Sequence, residues 1–338
     1  MEVSMNISAE DALKTSLCDS KGQLNPHAIG FSSRPSVHCA IPGHFGRRKR
    51  WNHWCITSPQ WMLSITQADF DYIGLAAANF VDLISGKHMG FSQTRLFARD
   101  CHLPDRPFES HSFEHPLLQL RVNDTPYNST ITLSAANHGG DVLQAILHVQ
   151  RPAHMDSANL VAPLGPNSFH ATSRQLGLPC TGTLQLNSRI YESTAAQSFA
   201  SLDFGRGVWP LNSHWKRAAF AAPGGIAGNF GSGWTDHSGL SENTLWFGGQ
   251  ALHLESPVNI EAESTNSMAV RQLRSADGKV QLSFSPCQKH QSRRNFGLLY
   301  ISNFQLFGHF NGMLRGEHNE CVPVQNALGW LGETETRW

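Results

Sequence analysis

The chain has 338 residues and zero formal net charge, with 26 Lys plus Arg against 26 Asp plus Glu, and only 15% of residues are charged. A balanced charge leaves no electrostatic footprint for nucleic acid and no polybasic stretch for a stable membrane anchor. No run of about 18 apolar residues occurs to form a membrane-spanning helix, and the length suits two domains or one large β architecture.

Residues 1–50 read as a polar arm of loops, with Pro26, Pro35 and Pro42. Met1–Ser20 carries acids and polar residues where a secretory leader has an apolar core. The arm ends on Arg47-Arg48-Lys49-Arg50, which reads as a solvated turn before a strand. The chain has seven cysteines. Their odd number and the lack of any CxxC pair speak against a disulfide framework and against a zinc site. A reducing, cytoplasmic setting without a bound metal is expected.

From Trp51 onward, short apolar segments alternate with turn residues: Trp61–Thr66, Tyr72–Phe80, Leu117–Val122, Thr130–Ser134 and Val142–Val149. Leu118, Leu120 and Val122 alternate with Gln119, Arg121 and Asn123, the period of a half-buried strand. His138-Gly139-Gly140-Asp141 supplies a turn. Helix is expected at most over Ala9–Leu17 and part of Asp69–Ile84. Residues 151–180, rich in Pro, Asn, Ser and His, read as a crossover. A second series follows, from Thr183–Leu186 through Val280–Phe284 to Leu298–Phe307. Asp277-Gly278 and Phe247-Gly248-Gly249-Gln250 give it hairpin turns. Many short strands at regular spacing predict a sandwich or barrel.

Three strings carry possible chemistry. His111-Ser112-Phe113-Glu114-His115 fits an inverted zinc-protease motif. That chemistry needs a helix, which Pro116 breaks, so a loop with exposed imidazoles is expected. Gly224–Gly233 is glycine-rich but lacks the Lys-Ser/Thr ending of a phosphate loop; close strand approach explains it better. Leu202-Asp203-Phe204-Gly205-Arg206-Gly207-Val208-Trp209-Pro210 places an acid, an arginine and a tryptophan together. Trp215, Trp234, Asp236 and Glu242 follow. Carboxylates buried near Arg and Trp have shifted pKa values, which mark functional sites. A buried Asp–Arg pair that merely fixes a bulge is the structural alternative.

These strings resemble a family catalogued as domain of unknown function 2804. The resemblance runs from about Gly22 to the end. It rests on Trp51-Asn52-His53-Trp54, Ala68-Asp69-Phe70-Asp71-Tyr72-Ile73-Gly74, Asp203 to Pro210, Gly233-Trp234-Thr235-Asp236 with Glu242-Asn243, Phe304-Gln305-Leu306-Phe307-Gly308 and Arg337-Trp338. A weaker resemblance is to the carotenoid hydratase-like group, which is built as two lipocalin-like β-barrels. Gly182-Thr183-Leu184-Gln185-Leu186 followed by Leu202-Asp203-Phe204 looks like the order of segments there. This chain has Phe204-Gly205-Arg206 where that group carries His and Trp near the Asp.

The expectation is therefore an all-β protein of two antiparallel lipocalin-like β-barrel or sandwich units in tandem. An N-terminal arm spans 1–50, a first unit 51–165, a crossover linker 166–179 and a second unit 180–338. A small hydrophobic molecule is the expected partner. Asp203 is the expected acid–base group, its pKa raised by desolvation, with Arg206 orienting it across a bulge at Gly205. Asp236 and Asp69 are further catalytic candidates. Trp209, Trp215, Trp234, Glu242 and Tyr72 would contact the ligand. No cofactor is called for. The enzyme reading is a hydratase, dehydratase, isomerase or cyclase; the alternatives are a lipid-like ligand carrier and an interaction module. Trp209, Trp215, Trp234 and Trp338 are expected to be packed.

Overall fold

In a computed structural model, residues 15–236, 238–295 and 300–337 are described. The period-two pattern places side chains as expected. Leu118, Leu120 and Val122 are buried, while Gln119, Arg121 and Asn123 face solvent. Asp277-Gly278 closes the hairpin between Arg271–Ser275 and Val280–Asn295, with Gly278 at φ 72°. Helix is confined, among the described residues, to the 3-10 turns Pro26–Ala28 and Pro223–Gly225. The segment Asp69–Ile84, open to a helical reading, instead joins the strands Trp61–Asp69 and Ile73–Asp82. Its alternate residues serve a sheet with two covered faces, which blurs the pattern. The helical reading of Ala9–Leu17 falls mostly outside the described residues. Trp338 also lies outside them.

The strands form two large antiparallel sheets. The first runs His88–Leu96, Ile73–Asp82, Trp61–Asp69, Arg48–Ser58, Phe199–Val208, Ser168–Leu186, Val142–Gln150, Asn128–Ala136, Leu118–Asp124, His111–His115, Cys101–His102. It curls around one core that takes Trp54, Trp61, Phe80 and Phe91 from one end and Phe113, Leu120, Leu133 and Leu147 from the other. This is a nearly closed barrel filled with side chains. The second sheet is a half-barrel: Gln250–His253, Thr244–Phe247, Ile226–Ser232, Asn212–Ala222, Cys321–Arg337, Tyr300–Arg315, Val280–Asn295, Arg271–Ser275, Val258–Ala262. Its own core includes Phe220, Phe230, Phe284 and Phe310. The two sheets pack together through Leu176, Ala219, Ala221 and Trp246. Among the described residues, no helix is long and apolar enough to cross a membrane.

The polar stretch expected as a linker at 166–179 lies, but for its first two residues, within Ser168–Leu186, a central strand of the first sheet. The strand is masked in sequence because its polar residues, among them His170, Thr172, Ser173, Arg174 and Gln175, are buried. A register shift between Gln175 and Leu178, with Gly177 at φ 73°, interrupts its pairing with Phe199–Val208. The chain passes from the first sheet to the second between Val208 and Asn212.

The arginine-rich cluster is not a solvated turn. Arg48–Ser58 is a strand, Lys49 is fully buried, and Arg48 and Arg50 pair with Asp71 and Asp69. His111–His115 is likewise a strand rather than a loop. His111 is buried, with Nδ1 2.7 Å from Gln67 Oε1.

Candidate functional site

Cross-strand register builds one wall of the site. Thr66, His53, Asp203 and Arg174 lie directly opposite one another on four successive strands. The neighbouring row is Ala68, Trp51, Gly205 and Thr172, and Gly207 faces His170. All point to the outer face of the barrel, since alternate residues share a face. The glycines have a steric role. A Cβ on Gly205 would fall inside the Trp51 ring, and one on Gly207 would meet the backbone of Phe169 and the His170 ring. The Gly-Arg-Gly string thus lets Trp51 lie over the sheet, stacked on His170 at 4.9 Å and 18°.

The second sheet supplies the opposite wall with Trp215, Arg217, Asn303, Gln305, Trp330, Gly332 and Thr334. Trp209, in the connection, and Trp234 complete a cavity of about 240 Å³. Trp209 stacks on Trp234 at 5.8 Å and meets Trp215 edge-on at 5.2 Å. A second cavity of about 410 Å³ adjoins, sharing Trp51, Thr66, Trp215, Asn303 and Gln305. It continues along Phe70, Leu75, Ala77 and Ile301 to His88 and His290, whose rings stack at 3.9 Å.

Charge at the inner end is paired. Asp203 binds Arg217 through Oδ2 and lies 3.4 Å from Arg174 Nε through Oδ1. Arg174 also pairs with Glu242. Asn229 Oδ1 accepts from both guanidiniums at 3.2 Å, and Asn229 Nδ2 donates to the Glu242 carbonyl at 2.9 Å. Trp234 Nε1 donates to Glu242 Oε1 at 2.8 Å. Gly231 leaves the space that the Glu242 carboxylate occupies. Burial alone would raise the Asp203 carboxyl; Arg217, Arg174 and His53 outweigh it and hold it well below the usual carboxylate range. Asp203 is therefore ionised, contrary to the sequence expectation of a raised pKa. Desolvation acts as anticipated, but two guanidiniums reverse its outcome.

The imidazoles behave oppositely. Burial pushes His53 down to about 4, with Arg217 adding to this and Asp203 opposing it. Burial, reinforced by Arg174, pushes His170 down to about 3. Both are neutral at neutral pH. His53 Nδ1 lies 2.8 Å from Thr66 Oγ1.

Arg206 is not part of this site. The register is continuous from Leu202 to Val208 on both sides, with no bulge at Gly205. Three residues of regular strand turn Arg206 to the face opposite Asp203. There it donates to the carbonyls of Pro104, Trp51 and Gly205 and to Asn52 Oδ1. Asp69 is on that same opposite face, paired with Arg50. Asp236 is exposed and accepts from Gly233 N at 2.9 Å, capping a turn. Tyr72 packs with Phe70 beside Lys49. Trp209 is buried, while Trp215 and Trp234 are half-buried because they border the cavity. The structure thus gathers Asp203, Trp209, Trp215, Trp234 and Glu242 and leaves out Arg206, Asp69, Asp236 and Tyr72. It adds His53, His170, Arg174, Arg217 and Asn229.

Fold and cavity together define the class: an all-β protein of two lipocalin-like units with an aromatic and ionic cavity between them. The chain belongs to the family described as Domain of unknown function (DUF2804), whose model matches residues 8–338. Among curated proteins none matches it. The crystal structure of kievitone hydratase from Nectria haematococca is similar over 97% of this chain and 98% of that one, at 12% identity and a TM-score of 0.51. CghA, solved with Sch210972, is similar over 95% and 97% of the two chains, at 12% identity and a TM-score of 0.44. The first of these likenesses bears on the fold alone.

Proposed function

We propose that the chain takes a small hydrophobic molecule between its two sheets and performs acid–base chemistry on it, as a hydratase, dehydratase, isomerase or cyclase. The observation that carries this reading is the convergence of Asp203, His53 and His170 on one tryptophan-lined cavity. A neutral imidazole can both take and give a proton. His53, opposite Asp203 in register, is the proton-transfer group in this reading. Asp203 stays ionised and stabilises the imidazolium as it forms. His170 holds an oxygen of the ligand. Addition of water to a C=C bond needs one proton delivered to carbon and one removed from water, so the two cancel and no redox partner enters. The hydratase activity in the name of the solved neighbour agrees with this class. A cytoplasmic location belongs to the same proposal, and the free thiols agree with it.

A second reading, a carrier without turnover, is favoured by one observation. Both oxygens of Asp203 are engaged by arginines, as a purely structural cluster would have them. The two separate by isotope exchange. Molecules extracted from the purified protein are returned to it in H2(18)O, or in D2O, and followed by mass spectrometry. Label entering the molecule with wild type but not with His53→Gln supports the enzyme. Retention without label in either protein supports the carrier.

A further inference from the structure

From the charge balance of this cavity we infer its ligand class: an uncharged amphiphile with a hydrogen-bond-accepting oxygen at the tryptophan end and an apolar chain along the adjoining trough. The inference deepens the reading above and rests on the same cavity.

The oxygen end follows from a tautomer. Trp209 Nε1 lies 3.1 Å from His170 Nδ1. Indole nitrogen only donates, so Nδ1 must accept, and a neutral His170 carries its proton on Nε2. That Nε2 is buried, with no hydrogen-bond partner among the described residues. His170 itself is 1% exposed and lines the cavity. A buried donor without a partner is costly, and a carbonyl, ether or hydroxyl oxygen in the cavity satisfies it.

The absence of charge follows from the ion pairs. The charged residues lining the inner cavity are Arg174, Asp203 and Arg217. Glu242 lies behind Arg174, so two carboxylates balance two guanidiniums. An anionic head must displace Asp203 from Arg217, and a cationic head finds both carboxylates taken. Either leaves a buried charge without its partner. Among the described residues lining the trough, none is Asp, Glu, Lys or Arg. Phe70, Leu75, Ala77 and Ile301 give it an apolar floor, where each buried methylene contributes about 0.8 kcal/mol. Affinity should therefore grow with chain length.

The probes are dodecan-2-one, butan-2-one, dodecanoate and dodecyltrimethylammonium, titrated into the full chain and read by tryptophan fluorescence. The expected result is saturable binding of dodecan-2-one, at least tenfold tighter than either ion or the short ketone. Ala77→Trp, which fills the trough, should remove the chain-length preference; Ala77→Leu is the milder variant should the first fail to fold. His170→Phe should reduce binding of dodecan-2-one by tenfold or more. The inference is overturned if either ion binds as tightly as the ketone, if neither trough variant changes the chain-length dependence, or if dodecan-2-one does not saturate. Binding is measured here without turnover. An ion that binds and is sensitive to Ala77 would overturn the ligand class while leaving the acid–base reading intact, whereas failed isotope exchange leaves the ligand class standing.

Discussion

Trp209 donates its indole N–H to Nδ1 of His170 across 3.1 Å, joining the connection between the sheets to the central strand of the first. The bond sets which ring nitrogen of His170 carries the proton. Long-range proton–nitrogen NMR should show His170 as the neutral Nε2–H tautomer at pH 7. Trp209→Phe removes the donor and should release that preference. An Nδ1-protonated or charged ring in wild type would contradict the assignment.

Asp203→Asn should destabilise the fold by ~3–5 kcal/mol, because it leaves buried guanidiniums without their carboxylate. Arg174 and Asp203 are 4% and 8% exposed at their side chains, so solvent does little to screen the loss. The depressed Asp203 carboxyl fixes the sign of the pH effect. Its stabilisation is present above the unfolded carboxylate pKa and is lost as pH falls toward the folded value. Urea melts of both proteins at pH 7 and pH 3 check this: the gap between them should narrow in acid.

Gly205→Ala should cost about 1–3 kcal/mol by overpacking. The backbone there is ordinary strand, so the cost comes from the Trp51 ring that a methyl group would displace. Thermal denaturation gives the magnitude, and a change in tryptophan emission should accompany it. A variant of unchanged stability and emission would contradict the proposed ring position.

Four imidazoles, His111 and His170 buried and His53 and His88 half-buried, set the acid limit. Burial leads in each: His53 and His88 are pushed down to about 4, and His111 and His170 to about 3. The unfolded chain, with ordinary histidines near ~6.5, binds more protons between these values. Stability is therefore complete above about pH 6.5 and falls as pH drops below it. Calorimetry from pH 8 to 5 should show a melting temperature that is level and then declines, with net proton uptake on unfolding at pH 5.5. A melting temperature that rises below pH 6.5 would contradict it.

The strands were legible because turn chemistry and alternation agree. Leu118–Asp124 and the Asp277-Gly278 hairpin show both signals. The strand Ser168–Leu186 was hidden because a sheet covered on its outer face by a second sheet can bury His170, Arg174 and Gln175, which in sequence look like loop residues. Two residues of the candidate site, His170 and Arg174, were hidden with it. Asp203 and the tryptophans stood out by composition. Their partners Arg174 and Arg217 come from other strands, and only register brings them there. Arg206 misled for the same reason: nearness in sequence says nothing of facing when the strand stays regular. His53 had a signal, since it lies in the Trp51-Asn52-His53-Trp54 string, but its role depends on standing opposite Asp203.

The central claim is that the cavity between the sheets is the functional site. An apolar extract of cells is incubated with the protein, which is desalted, and the retained molecules are identified by mass spectrometry for wild type, His170→Phe and Ala77→Leu. The account predicts retention of a neutral, oxygen-bearing molecule by wild type and its loss from both variants while each still melts cooperatively. Retention by folded variants equal to that of wild type would contradict it, and so would capture of charged molecules alone.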